Sequence, residues 1–407
     1  MITVISGGAI VDSESMSVRE EGDVVIENGA IRQVGGRHSG AADVTVDARG
    51  KWVMPGLVDA HVHFRLSTMN FARMTHWTEV EWGIHMARLA EDTVRRGFTS
   101  VRDLGGDVKG LIRAIASGAV VGPRIVRAGQ MLTQTGGHGD TRGGDLAVPE
   151  CSCNMPGTEF GIVADGVDAV TKASRHLLRD GSDFIKVHVS GGVASPADPI
   201  DSLQYTPAEI RAAVTEAEHR HTYVAAHAYS AESITMAVEN GVRSVEHGNL
   251  IDTAAAEAVV RHGAVMVPTL VTYRAMDEVG EKLGLPARNR AKNADILAAG
   301  LRSLETAGAA GVTFGFGTDL IGETQMLQRQ ELAIRAEVQS PADVLRSMWT
   351  VNPTLMPTRL PIGVLREGAA GDVVVSNVDP VSDLTRFARD DDAITAVVLA
   401  GNLAHSV

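Results

Sequence analysis

Residues 55–64 read PGLVDAHVHF, and the fold turns on this stretch. Leu57 to Ala60 is apolar apart from Asp59, which is strand-like, and two histidines follow one residue apart. In a β-strand, residues i and i+2 point to the same face. His61 and His63 therefore project into one space, about 6–7 Å apart at the backbone by strand rise. That spacing suits two ligands on one metal ion. An H-x-H pair is weak evidence alone, because paired strand histidines also occur as core or surface residues. Its meaning depends on what the rest of the chain supplies.

Downstream of this pair, short apolar runs alternate with helical stretches. TSVRDLG (99–105), PRIVRAG (123–129), DFIKVHV (183–189), YVAAHA (223–228), RSVEHG (243–248), AVMVPT (264–269) and TFGFGTD (313–319) join GLVDAHVHF to make eight strand candidates. Helical patterns such as TPAEIRAAVTEAEHRH and SAESITMAVENG separate most of them. Regular β-then-α alternation at this length points to an α/β fold, a parallel (β/α)8 TIM-like barrel over residues 56–361. A doubly wound open sheet is the competitor, and no G-x-G-x-x-G opens a helix after an early strand to support it. Residues 1–55 read differently, as short alternating strands with Gly, Asn-Gly and Pro punctuation. Residues 362–407 read the same way, in GDVVVSN and AITAVVLAGNLAHSV. The two ends are expected to build one small β-sandwich subdomain, with the barrel inserted between its halves.

Composition fits a soluble globular enzyme: 407 residues, 44% hydrophobic and 21% charged. The net charge of −13 argues against a nucleic-acid or anionic-membrane partner. The N-terminus lacks a basic segment followed by a long apolar one, and no run of 18 apolar residues occurs. No membrane association is expected, and the cytoplasm is the expected compartment. Cys151 and Cys153 form a lone C-x-C without further ligands nearby, so a structural or incidental role is expected.

In a barrel, functional residues sit at the C-terminal ends of strands. His61 and His63 end strand one, Lys186 lies in strand four, His227 ends strand five, His247 ends strand six and Asp319 ends strand eight. These are metal-ligand types, with one lysine, at matching heights on five strands. The lysine has two readings. In one it snorkels to solvent or pairs with a carboxylate. Alternatively, burial lowers its pKa, and the neutral amine reacts with carbon dioxide to give an anionic carbamate able to bridge two divalent ions.

This set of residues resembles the binuclear, carboxylated-lysine branch of the amidohydrolase superfamily. The likeness extends along the chain through FIKVHVSGGVASPADPIDSLQY (184–205), AAHAYSAESI (225–234), VRSVEHGNLID (242–252), VPTLVTY (267–273) and TGGHGD (135–140). These stretches resemble the imidazolonepropionase-related group that holds metal-dependent Xaa-Pro dipeptidases and carboxypeptidases. The resemblance implies two divalent ions, with zinc suited to imidazole and oxygen ligands. It implies His61, His63 and Asp319 on one ion, His227 and His247 on the other, and Lys186, as N6-carboxylysine, bridging them. It further implies a hydroxide between the ions that attacks an amide, with Asp319 as the catalytic proton carrier.

His138, in the GGHGD stretch after strand three, and Tyr229, in the loop after strand five, match positions that such relatives associate with the substrate's carboxylate or carbonyl. A loop histidine without a ligand role and a surface tyrosine are the alternatives. His188 departs from the group's pattern, where an apolar residue is commoner; it is expected to share the inward face with Lys186, as a substrate contact or a satisfied core residue. His76, His85, His176, His219, His221 and His262 read as structural or exposed, and Trp77 and Trp82 as helix packing. The expected activity is removal of a C-terminal residue from dipeptides, Xaa-Pro dipeptides among them, or from N-acyl amino acids. Hydrolysis of a non-peptide amide, carbamate or urea is the rival, and a non-catalytic barrel that has lost its ligands is a third reading disfavoured by their presence. Apolar barrel helices and the resemblance suggest a homo-oligomer.

Overall fold

The computed structural model describes residues 1–74, 76–140, 160–195 and 198–407; Cys151 and Cys153 lie outside them. Strands Leu57–Val62, Phe98–Asp103 and Arg124–Arg127 run parallel, side by side. The third strand resumes as Met131–Thr133 and passes the sheet to Ile185–His188, with Leu132 opposite Val187. Val224–Ser230, Ser244–Leu250, Val265–Val267 and Thr313–Phe314 follow in order, all parallel.

The final strand is short, and closure depends on hydrogen bonds beyond its ladder. Ala60 N–H donates to Phe316 O at 2.8 Å, and Asp319 N–H donates to His61 O at 2.8 Å. Asn352, fully buried, straddles this seam: its amide donates to Val58 O and Phe316 O, and its Oδ1 accepts from Phe316 N–H. Strand one and strand eight approach so closely that a Cβ on Gly317 would lie 2.7 Å from His61 Cβ. The glycines of GFGTD therefore mark a tight seam, which shortens the regular ladder.

Barrel strands are buried on both faces, so they read as nearly continuous apolar runs. Residue type still separates the faces. Val224, Ala226 and Ala228 pack outward in the helix-facing core, as do Ile185 and Val187. Their neighbours Lys186, His188, His227 and Tyr229 face the interior. Local capping holds the shell in place. T-x-x-E capping boxes, Thr78 with Glu81 and Thr206 with Glu209, start helices Glu79–Arg95 and Pro207–Glu218, each cap contributing about 1 kcal/mol. Ser230 ends strand five and at once caps helix Ala231–Glu239, which makes the exit from that strand tight.

Strands from both chain ends share one eight-stranded sheet. The long strand Ile2–Asp12 changes partners midway, from Val44–Asp47 over Thr3–Ser6 to Trp52–Pro55 over Ala9 and Ile10. The change falls at Gly7 and Gly8, where a Cβ on Gly8 would meet Val53 Cγ2 at 2.4 Å. Val373–Ser376 pairs with Trp52–Pro55 and joins the C-terminal strands to the N-terminal ones. Alternation then places Val53, Val373 and Val375 in the sheet's own core, while Met54 and Val374 join the barrel's core. The sheet is thus bonded to the barrel through one face of its central strands. Among the described residues no helix is long and apolar enough to cross a membrane.

Candidate active site

A cavity of about 360 Å³ opens at the C-terminal end of the barrel strands, and all nine residues singled out from the sequence line it. His61 Nε2 and His63 Nε2 lie 3.3 and 3.2 Å from the same oxygen, Asp319 Oδ1. Ligand atoms of His61, His247 and Asp319 fall within 4.8 Å of one another, a group able to hold a metal ion. His227 stands beside His247, their ring centroids 4.6 Å apart, with its Nε2 3.0 Å from Gly191 O.

Two of these residues occupy backbone that side chains rarely adopt. His247 has φ 75° and Asp319 has φ 51°, each at a cost of about 1–3 kcal/mol. The effect at His247 is concrete. Glu246 points into the barrel floor, and a regular strand would send the next side chain outward to the helices. The turned backbone lets His247 face the interior as well.

Beneath the cavity lies a second polar group, fully enclosed. Arg102 Nη2 donates to Glu246 Oε1 at 2.7 Å, Nη1 donates to Tyr223 OH and Ser244 Oγ at 3.1 Å, and Nε donates to Ala60 O at 2.6 Å. The other oxygen of Glu246, Oε2, accepts from His61 Nδ1–H at 2.9 Å. That bond turns His61 Nε2 toward Asp319 and the cavity. Burial raises the Glu246 carboxyl, but Arg102 and His61 outweigh it and hold it well below the usual carboxylate range. Burial likewise lowers His61, yet Asp319 and Glu246 outweigh it and raise the imidazole above its ordinary value. Asp319, flanked by His61 and His63, is held well below the carboxylate range although burial opposes this. A field that favours an imidazolium here also favours a divalent cation.

Lys186 is the outlier. It is 1% exposed, and its Nζ has no hydrogen-bond partner among the described residues. It therefore neither snorkels nor pairs with a carboxylate. Burial lowers its pKa from 10.5 to about 8, with Arg102 adding to the effect against Glu246 and Asp319. His188, 2% exposed, also has an unpartnered Nδ1, so it is not a satisfied core histidine. Unpaired buried polar groups are costly, and these two share one cavity with five further imidazoles and Asp319. The donor set fits divalent cations with an oxygen or nitrogen preference.

The upper wall holds the remaining candidates. Tyr229 lies inside strand Val224–Ser230 rather than in a loop after it, on the same face as His227. His138 leaves the loop after strand three and stacks on His227, ring centroids 4.2 Å apart. Its Nδ1 lies 2.8 Å from Ser195 Oγ, which in turn donates to Asp198 Oδ1. Gln204 Oε1 accepts from the His138 backbone N–H at 2.8 Å. Leu66, Phe71, Met131, Phe160 and Met276 make the wall largely apolar, and Arg288 stands at its exposed lip. His85 stacks on Trp77 and Arg65 covers Trp82, all outside the cavity lining.

Glu246, Arg102, Tyr273 and the Ser195–Asp198 pair escaped sequence reasoning. Glu246 adjoins His247 in SVEHG, and an acidic residue inside an otherwise apolar strand was the available signal. Arg102 depends on Glu246, 144 residues away; Tyr273 depends on how helix Leu270–Leu283 packs, and the Ser195–Asp198 pair on loop conformation.

Comparison with known proteins places this geometry. The model of the Amidohydrolase family matches residues 52–404. An ochratoxinase from Aspergillus niger is 30% identical over 369 residues, covering 86% of this chain and 75% of that protein. A crystal structure of a prolidase complexed with N-methylphosphonate-L-proline is 41% identical, with a TM-score of 0.95 and all of both chains covered. A crystal structure of a Xaa-Pro dipeptidase with methionine bound in its active site is 28% identical, with a TM-score of 0.87 and the same coverage. The barrel, its C-terminal cavity and the match over most of its length identify this chain as a member of the amidohydrolase family, a hydrolase.

Proposed function

We propose that the chain hydrolyses the amide bond of Xaa-Pro dipeptides or N-acyl amino acids, releasing a C-terminal amino acid. The observation that carries this reading is Lys186: a buried, unpartnered amine among metal-ligand side chains, under a cavity large enough for a dipeptide. The prolidase and Xaa-Pro dipeptidase likenesses support it. In this reading His61, His63 and Asp319 hold one divalent ion, His227 and His247 hold another, and carboxylated Lys186 is shared by both. Bound there, the ions, for which zinc is the suited metal, supply hydroxide at neutral pH and polarise the scissile carbonyl.

The protein's own groups do the rest. Glu246 keeps His61 in the tautomer that presents Nε2. Asp319 accepts the proton of the attacking water and passes it to the departing amine. Tyr229 and His138 contact the polar ends of the substrate, and His188 stands beside His138, ring centroids 5.1 Å apart. The apolar wall excludes water and takes the side chain.

A second reading, a non-peptide amide carrying a bulky apolar group, is favoured by that same wall of Phe71, Met131, Phe160 and Met276 and by the ochratoxinase likeness. A panel of Xaa-Pro dipeptides, N-acyl amino acids and aryl amides without a carboxylate, assayed with zinc-loaded protein, tests both. Higher kcat/KM on the first two classes is expected. Turnover confined to amides lacking a carboxylate would refute the peptidase reading.

A further inference from the structure

The upper wall contains an ordered line of hydroxyls that ends in the cavity. His247 Nδ1 lies 2.8 Å from Thr269 Oγ1 and 3.0 Å from Tyr273 OH. Tyr273 OH lies 2.8 Å from Tyr229 OH. Both tyrosines are buried, at 1% and 2% exposure, and both line the cavity. Tyr273 comes from the first turn of helix Leu270–Leu283, after strand seven, whereas Tyr229 comes from strand five. The Tyr229 ring also stacks on His247, centroids 5.0 Å apart, so the line folds back over the imidazole where it starts.

Hydrogen-bond donors and acceptors along this line can run in two directions. If Tyr229 donates to Tyr273, and Tyr273 to His247 Nδ1, a neutral His247 must carry its proton on Nε2, which then cannot bind a metal. If His247 uses Nε2 as a ligand, Nδ1 must be the N–H. It then donates to Thr269 and Tyr273; Tyr229 OH at 2.8 Å is a much nearer acceptor for the Tyr273 hydroxyl than Thr269 Oγ1 at 3.4 Å, so Tyr273 donates to Tyr229, and the Tyr229 hydroxyl retains its proton with no other partner among the described residues. We propose that Tyr273 is a positioning residue that, once His247 is a metal ligand, commits the Tyr229 hydroxyl to donating into the cavity, onto an oxyanion or carboxylate oxygen. This deepens the proposed function and rests on its assignment of His247 as a ligand.

The inference also predicts how the two tyrosines combine. Tyr273 acts only through Tyr229, so removing both hydroxyls costs no more than removing Tyr229's. Thr269 still accepts from His247 when Tyr273 is phenylalanine, so metal retention does not depend on Tyr273.

The test uses inorganic phosphate as the probe, a tetrahedral oxyanion whose binding needs no amide to be a substrate. Its outcome is therefore separate from that of the substrate panel. Phosphate affinity of metal-loaded wild type, Tyr229→Phe, Tyr273→Phe and the double variant is measured by calorimetry, with metal content checked by elemental analysis and folding by Tm. The expected result is a loss of about tenfold or more in each single variant, the same loss in the double variant, and unchanged metal content. Phosphate affinity within about twofold of wild type in Tyr273→Phe, additive losses in the double variant, or metal lost from Tyr273→Phe would each overturn the proposal.

Discussion

Two buried polar regions lie one above the other in this barrel, and they are built oppositely. In the floor, Arg102 and Glu246 are wholly buried, and every group of the guanidinium meets an acceptor in Glu246, Tyr223, Ser244 or Ala60. In the cavity directly above, Lys186 Nζ and His188 Nδ1 are similarly buried and have no hydrogen-bond partner among the described residues. A buried charge that is fully paired is architecture; removing one partner is what costs. A buried amine left unpaired in the same protein is a place kept for something else. Glu246 belongs to both regions, since one oxygen faces Arg102 and the other faces His61.

Several measurements can break or sharpen this contrast. The largest effect is expected at Asp319, the cavity's carboxylate. Asp319→Asn should lower kcat by about 10²–10⁴-fold while Tm changes little, and near-normal turnover at equal metal content would remove Asp319 from the chemistry. In the floor, Glu246→Ala leaves Arg102 charged, buried and without its carboxylate. It should destabilise the metal-free protein by about 3–5 kcal/mol in denaturant unfolding; a loss under about 1 kcal/mol would show that the floor tolerates an open charge.

Lys186→Met should do the reverse. The folded metal-free protein holds this proton with a pKa of about 8 against an ordinary 10.5. Between those values the unfolded chain binds the proton and the folded one does not, so stability rises with pH across that window. At neutral pH the lysine therefore costs up to about 3 kcal/mol. The methionine variant should be more stable than the parent at pH 7, lose the rise above pH 8, and fail to hold metal. A less stable variant with an unchanged pH profile would mean that Lys186 is not a strained amine. The smallest effect is expected outside both regions: His85→Ala, on the Trp77 face, should leave kcat/KM within about twofold, and a large loss there would extend the site beyond the cavity.

Much of this arrangement is legible in the sequence because strands repeat with period two. Lys186 and His188 share a face by counting alone, and the barrel rule places strand ends together; Tyr229 reads as a loop residue because strand five runs further than its apolar stretch YVAAHA suggests. The turned backbones of His247 and Asp319 leave no such trace, nor does the break in strand three between Arg127 and Met131. Strand eight reads as a full strand in TFGFGTD but pairs regularly only over Thr313–Phe314, because Gly315 and Gly317 serve the seam with strand one. Glu246 was visible but ambiguous, since its role depends on Arg102 and His61, which reach it only when the barrel closes. Nothing in VPTLVTY singles out Tyr273; only the packing of helix Leu270–Leu283 brings it to Tyr229.

In the proposed function Lys186 carries a carbamate that would help hold divalent ions. Carbon-13 NMR of protein reconstituted with zinc in labelled bicarbonate tests this most directly, alongside elemental analysis. The account predicts one carbamate carbon signal, about two metal ions per chain and loss of the signal in Lys186→Met. A zinc-loaded protein with no carbamate signal, or one that keeps the signal in Lys186→Met, would contradict it.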